Sequence, residues 1–364
     1  KNEGILPLDR SKIKTIGVIG PVASSVEVLN GNYNGTASRY VTDLDGIRAA
    51  AGNDIRILYS EGCHLFKDKV QPLGEQDDRI SEALSVAEHS DIVILCLGLD
   101  SSIEGEEGDA GNAFAAGDKQ SLYLMGSQRR LFEALKKTDK PIILVLNTGS
   151  AMDISKEEGR CSAILQCWYS GECGGEALGD LLFGKVSPSG KLPVTVSYEG
   201  DLPEFTDYSM KGRTYRYSAK KPLYPFGYGL SYNTVEYSGL ELRSCESTDD
   251  VLAELKIKNM GEMIQDEIVQ IYISNREAVK DCGMDENEQP FYSLCAFEHV
   301  CLEPKEEKKV KILIPAAAFD TVTENGERVR LKGKYRIFAG TQQPDERSAE
   351  LTGKKCLAGL YEIV

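Results

Sequence analysis

Five short runs of almost unbroken apolar residues recur through the first half of the chain: "KTIGVIG" (14–20), "DIRILYS" (54–60), "DIVILCLGL" (91–99), "PIILVLNTG" (141–149) and "SAILQCW" (162–168). Strands that are apolar at nearly every position must be covered on both faces, which is the condition of a buried parallel sheet. Between the runs, segments 42–52, 77–90, 127–139 and 171–184 carry apolar residues three and four apart, with Thr42 and Ser127 placed as caps. Repeated β-α units of this kind predict a doubly wound α/β sandwich with a mostly parallel sheet. Ligands then approach the carboxyl ends of its strands.

After about Gly200 the sequence becomes crowded with Pro, Gly and Tyr and loses any sustained period. From about Leu240, strand-length segments alternate apolar and polar residues, as in "AELKIKN" (253–259), "IVQIYIS" (268–274), "KKVKILIP" (308–315) and "GKYRIFAG" (333–340). That alternation predicts an antiparallel β-sandwich, with 279–291 as a long loop in it. The expected division is an α/β domain over 1–209, an ordered linker over 210–236 and the β domain over 237–364. A length of 364 residues suits two cores of ordinary size.

A formal net charge of -15 disfavours a nucleic-acid partner, because phosphate contacts need clustered Lys and Arg. No apolar run approaches the roughly 18 residues of a membrane span, so no membrane partner is expected. The ten cysteines form no CxxC pair and several fall inside apolar runs, which points to a reducing, cytoplasmic setting. The opening residues lack the layout of a secretory signal. A chain beginning at Lys1 rather than Met is expected to start inside a longer gene product.

Most motif readings fail on chemistry. "IGVIGP" (16–21) lacks the G-x-G-x-x-G of a dinucleotide site and reads as a core strand ending in a turn. His64, His89 and His299 have no ligand spacing for zinc, and His89 reads as a helix end. No G-x-S-x-G elbow is present; the glycines of "WYSGECGG" (168–175) read as tight entry into a helix. Neither metal nor cofactor is expected.

The loop "SSIEGEEGD" (101–109) follows the third strand and carries Glu104, Glu106, Glu107 and Asp109. By composition it suits a solvated surface, and it lacks an EF-hand pattern. A carboxyl between a strand end and a closed cleft would also suit a general acid, so chemistry makes Glu104 eligible without selecting it.

The stretches "KNEGILPL" (1–8), "GNYNGTASRYVTDLDGI" (31–47), "GLDSSIEGEEGD" (98–109), "GDKQSLYL" (117–124), "LVLNTGSAMDI" (144–154), "CWYSGECGGEALGDLLFGKVSPSGKLPVT" (167–195) and "DYSMKGRTYRYSAKKPLYPFGYGLSY" (207–232) together resemble the C-terminal half of glycoside hydrolase family 3, the branch of bacterial β-glucosidases and β-xylosidases. The resemblance implies a barrel, then an α/β sandwich, then a fibronectin type III-like β-sandwich. The barrel, with the family's aspartate nucleophile, would precede "KNEGILPL" and is the expected partner of this chain.

It further implies a retaining, exo-acting β-glycosidase for terminal β-D-glucosyl or β-D-xylosyl residues, acting on oligosaccharides or aryl β-glycosides, with a homo-oligomer allowed for. On this chain the general acid/base would be Glu104, with Glu106 as the alternative and Glu107 and Asp109 as solvated neighbours. Tyr33 could face a pyranose and Asn34 bond a hydroxyl, against the plainer reading of an Asn/Gly turn. Arg213 is a further candidate for contact with substrate or barrel, while "GRTYRY" and "PFGYGLSY" otherwise read as structural. Lys119 and Met125 stand where relatives usually carry Arg and Pro, and Ser170 and Glu172 where they carry Pro and Gln; neither change is expected to touch Glu104. The separate chain is expected to be inactive. The competing expectation is a non-catalytic module that binds carbohydrate or a partner.

Overall fold

The computed structural model describes residues 1–104, 119–204, 206–245, 248–323 and 325–364. By compactness the chain divides into two units, Lys1–Val186 and Ser187–Val364.

In the first unit all five apolar runs form strands: β1 Thr15–Ile19, β2 Arg56–Ser60, β3 Ile92–Gly98, β4 Ile142–Asn147 and β5 Ala163–Gln166. They pair in parallel in the order β2-β1-β3-β4-β5. Every residue of β3 and β4 is buried, as central strands covered on both faces require. The helices are α1 Asp43–Ala51, α2 Ile80–Glu88, α3 Gly126–Leu135 and α4 Gly174–Leu182. α1 packs on α4, and α2 on α3.

Thr42 caps α1 as expected, its hydroxyl accepting from the Asp45 N–H. Ser127 does not cap α3. The helix begins one residue earlier, and the Ser127 hydroxyl instead donates to the His64 carbonyl at 2.8 Å.

Two glycines let α1 and α4 approach. A Cβ on Gly46 would stand 1.7 Å from the Gly175 carbonyl oxygen, and one on Gly175 would stand 1.9 Å from the Thr42 oxygen. This is the tight helix entry read from "WYSGECGG".

The sheet order places β1 beside β3, although β2 lies between them in the chain. Connections from these two strands leave in opposite directions, opening a crevice at their carboxyl ends. The loops following β1 and β3 flank that crevice. They carry "GNYNG" and, among the described residues, the start of the acidic loop, "SSIE" (101–104).

The second unit holds β6 Val235–Ser244, β7 Val251–Asn259, β8 Gln265–Ser274, β9 Ser293–Leu302, β10 Glu307–Ile314, β11 Asp320–Val322, β12 Arg328–Arg330, β13 Gly333–Gly340 and β14 Leu357–Ile363. They form antiparallel sheets β10-β7-β6 and β14-β13-β8-β9, with β11 paired to β12. Val251, Leu255 and Ile257 of the first sheet share a core with Ile271, Ile273 and Ile337 of the second. Each strand contributes alternate residues to it.

Segment 279–291 is not a plain loop. It includes the end of a helix, Arg276–Asp281, which buries Ala278 and Val279, and a 3-10 turn at Glu286–Glu288. The stretch expected as a linker packs inside the second unit: the Gln270 side chain donates to the Gly227 carbonyl at 3.0 Å, and Tyr215 stacks on Phe226 at 4.3 Å.

Among the described residues no helix is long and apolar enough to cross a membrane. The ten cysteines are free thiols.

Candidate active site

Glu104 owes its position to the end of β3. Gly98 lies so close to β4 that a Cβ there would stand 1.9 Å from the Asn147 carbonyl oxygen. The Leu99 N–H then donates to that same oxygen at 2.8 Å, which carries the chain out over the sheet edge. Asp100 closes the next turn, its carbonyl accepting from the Ile103 and Glu104 N–H groups, each at 3.0 Å, while its carboxylate accepts from Ser102. Ile103 is buried, so Glu104 projects toward the crevice.

Loops after three other strands meet Glu104. From the loop after β4, the Gly149 N–H donates to Oε2 at 2.7 Å and the Ser150 hydroxyl donates to Oε1. From the loop after β5, the Tyr169 hydroxyl donates to Oε2. From the loop after β1, the Asn32 side chain donates to the Glu104 backbone carbonyl at 3.1 Å. Both carboxylate oxygens are thus held, and the side chain is 14% exposed.

Burial, together with Glu104, pushes the Tyr169 phenol upward, so Tyr169 stays a donor throughout the physiological range.

Lys119 corrects one expectation. Its ammonium stands 3.9 Å from Glu104 Oε1 and donates to the Ser150 hydroxyl oxygen at 2.5 Å, so this departure from the usual arginine does touch Glu104. Burial lowers the Lys119 pKa, and Glu104 opposes that shift. A lysine ammonium sits on a flexible stem and lacks the planar fork of a guanidinium. Glu172 is tied elsewhere, accepting from the Ser38 N–H and hydroxyl at 3.3 and 3.2 Å.

The other candidates divide. The Tyr33 ring is 90% exposed on a backbone with φ of 60°, an aromatic surface open to solvent. Asn34 turns its amide inward, donating to the Gly31 carbonyl at 2.7 Å, while Asn32 reaches Glu104. Arg213 places its guanidinium on the carbonyls of Glu204, Asp207 and Ser209, where it shapes its own loop. Glu106, Glu107 and Asp109 lie outside the described residues.

Sequence reasoning did not single out Gly149, Ser150, Tyr169 or Asn32 as site residues. The signal was positional: the first three follow closely on the ends of β4 and β5, where an open parallel sheet presents its ligands.

Among the described residues no cluster of three or more His, Cys, Asp or Glu is placed to hold a metal ion. The three histidines serve locally. His64 Nδ1 accepts from the Phe66 and Lys67 N–H groups, His89 follows α2 and bonds the Ser85 carbonyl at 2.8 Å, and His299 lies 3.2 Å from Asp266.

Residues 1–232 match the glycosyl hydrolase family 3 C-terminal domain, and residues 267–343 match a fibronectin type III-like domain. A β-xylosidase of Formosa agariphila is 32% identical across 97% of this chain and 48% of its own length. A periplasmic β-glucosidase of Salmonella typhimurium is 33% identical across 92% of this chain and 45% of its own. Among solved structures, a β-glucosidase from Erythrobacter marinus aligns with a TM-score of 0.79 at 29% identity, covering 100% of this chain and 48% of that one. The chain spans about half the length of the curated relatives it matches. On a domain match that takes in more than half of the chain, and on relatives above 30% identity along nearly all of it, the protein belongs to glycosyl hydrolase family 3.

Proposed function

We propose that this chain supplies the general acid/base carboxyl of a retaining, exo-acting β-glycosidase that removes terminal β-D-glucosyl or β-D-xylosyl residues from oligosaccharides. The observation that carries the proposal is the convergence of loops from β1, β3, β4 and β5 on Glu104 at the switch point of the sheet. An aspartate nucleophile from a barrel outside this sequence completes the pair. One carboxylate attacks the anomeric carbon while the other protonates the departing oxygen and later activates water. The separate chain then lacks turnover. Tyr33 offers its exposed ring to a pyranose at the crevice, and Asn34 shapes the loop that presents it.

A second assignment within the same loop is favoured by one observation. Both Glu104 oxygens already accept hydrogen bonds, so an outward-facing O–H on Glu104 requires at least one of them to break. In this assignment Glu104 anchors the loop and Glu106 transfers the proton.

The test compares E104Q and E106Q in the full-length enzyme, using aryl glycosides with good and poor leaving groups. Loss of the acid/base should lower kcat/KM about 10²-fold or more on the poor leaving group, spare the good one, and let azide restore turnover as a glycosyl azide. The variant with that signature identifies the acid. If neither has it, the proposal is wrong.

A further inference from the structure

We propose that Asp43 is a positioning residue for the loop after β4, and through Gly149 and Ser150 for Glu104, acting by a carboxyl–amide pair with Asn147 that has two hydrogen-bonded states. Its consequence for catalysis rests on the reading of the acidic loop given above. The pair itself does not.

Asp43 opens α1 and is 2% exposed; Asn147 closes β4 and is 1% exposed. The Asn147 amide nitrogen donates to Asp43 Oδ2 at 2.6 Å. Among the described residues no ion pair is formed with this carboxylate. The groups set against it are the Cys96 thiol of β3, which shares a hydrogen bond with it, and the Cys167 thiol after β5. Burial raises both thiols far above neutrality, so neither titrates with Asp43. Burial also raises Asp43 to about 6, against the hydrogen bonds from Asn147 and Cys96.

The other end of the Asn147 amide completes the device. Its Oδ1 is buried and, among the described residues, has no hydrogen-bond partner. When Asp43 takes a proton, its new O–H needs an acceptor, and a half turn of the Asn147 amide presents Oδ1 where Nδ2 stood. A separation of 2.6 Å suits O–H···O better than N–H···O. The ionised state therefore accepts from Nδ2 and the neutral state donates to Oδ1. The proton is exchanged between solvent and Asp43, and the carboxyl O–H is the one bond made or broken on the protein.

Asn147 directly precedes Thr148, Gly149 and Ser150, and its carbonyl accepts from Leu99 at the root of the Glu104 loop. A change at this amide is therefore felt by both loops that meet at Glu104.

The test is an NMR titration of the isotope-labelled chain without substrate. The Asp43 carboxyl carbon, the Asn147 side-chain amide and the Gly149 N–H should shift together with one midpoint near pH 6. D43N should abolish the transition at Gly149. E104Q should displace the Gly149 resonance and leave the Asp43 midpoint in place. In the full-length enzyme D43N should remove an inflection near pH 6 from kcat and change KM less than about twofold. Should D43N fail to fold, the coincidence of midpoints in the unaltered chain decides by itself. A Gly149 resonance that does not follow Asp43, or that still titrates in folded D43N, overturns the proposal. Because the titration needs no turnover, failure of the acid/base assignment would leave this result standing.

Discussion

The Gly149 N–H reaches the Glu104 carboxylate at 2.7 Å because position 149 has no side chain: a Cβ there would lie 2.8 Å from Oε2 and 2.6 Å from Cε2 of Tyr169. G149A must therefore displace the Tyr169 ring or the carboxylate. Both obstacles are side chains, so the fold should survive with a loss of about 1–3 kcal/mol in urea denaturation. If the clash is the cause, Y169A relieves it. A double-mutant cycle should then give a coupling above about 0.5 kcal/mol, and strict additivity would refute the account.

Gly175 and Gly46 should behave differently, because the atoms they face are backbone. A Cβ on Gly175 would stand 1.9 Å from the Thr42 carbonyl oxygen, and neither helix can yield without parting from the other. G175A is expected to cost more than about 3 kcal/mol or to abolish folding of the first unit. Gly159 is the control, since no atom of the described residues lies within 4 Å of its Cβ position, and G159A should stay within about 0.5 kcal/mol of the parent. Denaturation curves of the two variants, measured side by side, check the contrast.

Gly175 could be read in advance, as one of the glycines of "WYSGECGG" expected to allow tight entry into a helix, whereas Gly46 could not. The strands were legible because β3 and β4 are buried on both faces, which leaves an unbroken apolar run in the sequence. The order β2-β1-β3-β4-β5 was not, since it depends on which way each connection crosses the sheet. Ser127 looked like a cap because a hydroxyl near a helix start usually is one; here the helix starts at Gly126, and the His64 carbonyl took the hydroxyl instead. At the site, the acidic loop was visible as charge following a hydrophobic strand. The groups around Glu104 were not, because Gly149, Ser150, Tyr169 and Asn32 are brought together only by the sheet. Lys119 likewise read as a remote substitution until the fold set it beside the carboxylate.

The buried carboxyl of Asp43 should also govern how stability depends on pH. Its folded pKa of about 6 lies above the 3.8 of an ordinary aspartate, so between these values the folded state holds more protons than the unfolded one. Stability from this group is therefore full below about pH 4 and falls as pH rises to 6. At 1.36 kcal/mol per unit the loss is at most about 3 kcal/mol. D43N removes the titrating group, and its stability should be flatter across this interval than that of the parent. Denaturation midpoints at pH 4, 5, 6 and 7 provide the measurement. An unchanged slope in D43N would assign the dependence to other groups.

In the second unit, Lys191 and Glu267 form a buried pair whose worth lies in being complete. The Lys191 ammonium is 3.9 Å from Glu267 Oε1 and donates to the Thr341 hydroxyl at 2.7 Å and the Gly229 carbonyl at 3.1 Å; Tyr237 donates to the same Glu267 oxygen at 2.7 Å. Burial lowers the Lys191 pKa, the mark of an ammonium taken out of water. Removing one charge leaves the other desolvated, at a cost of about 3–5 kcal/mol, whereas replacing both by apolar groups of similar volume is often nearly neutral. K191M should therefore be strongly destabilising, and K191M/E267L should recover much of the loss. The recovery will be incomplete because the Tyr237 hydroxyl loses its acceptor, which costs about 1–3 kcal/mol on its own. Guanidinium denaturation of the single and double variants decides the matter: a double variant no more stable than K191M would mean that these side chains act through packing rather than charge.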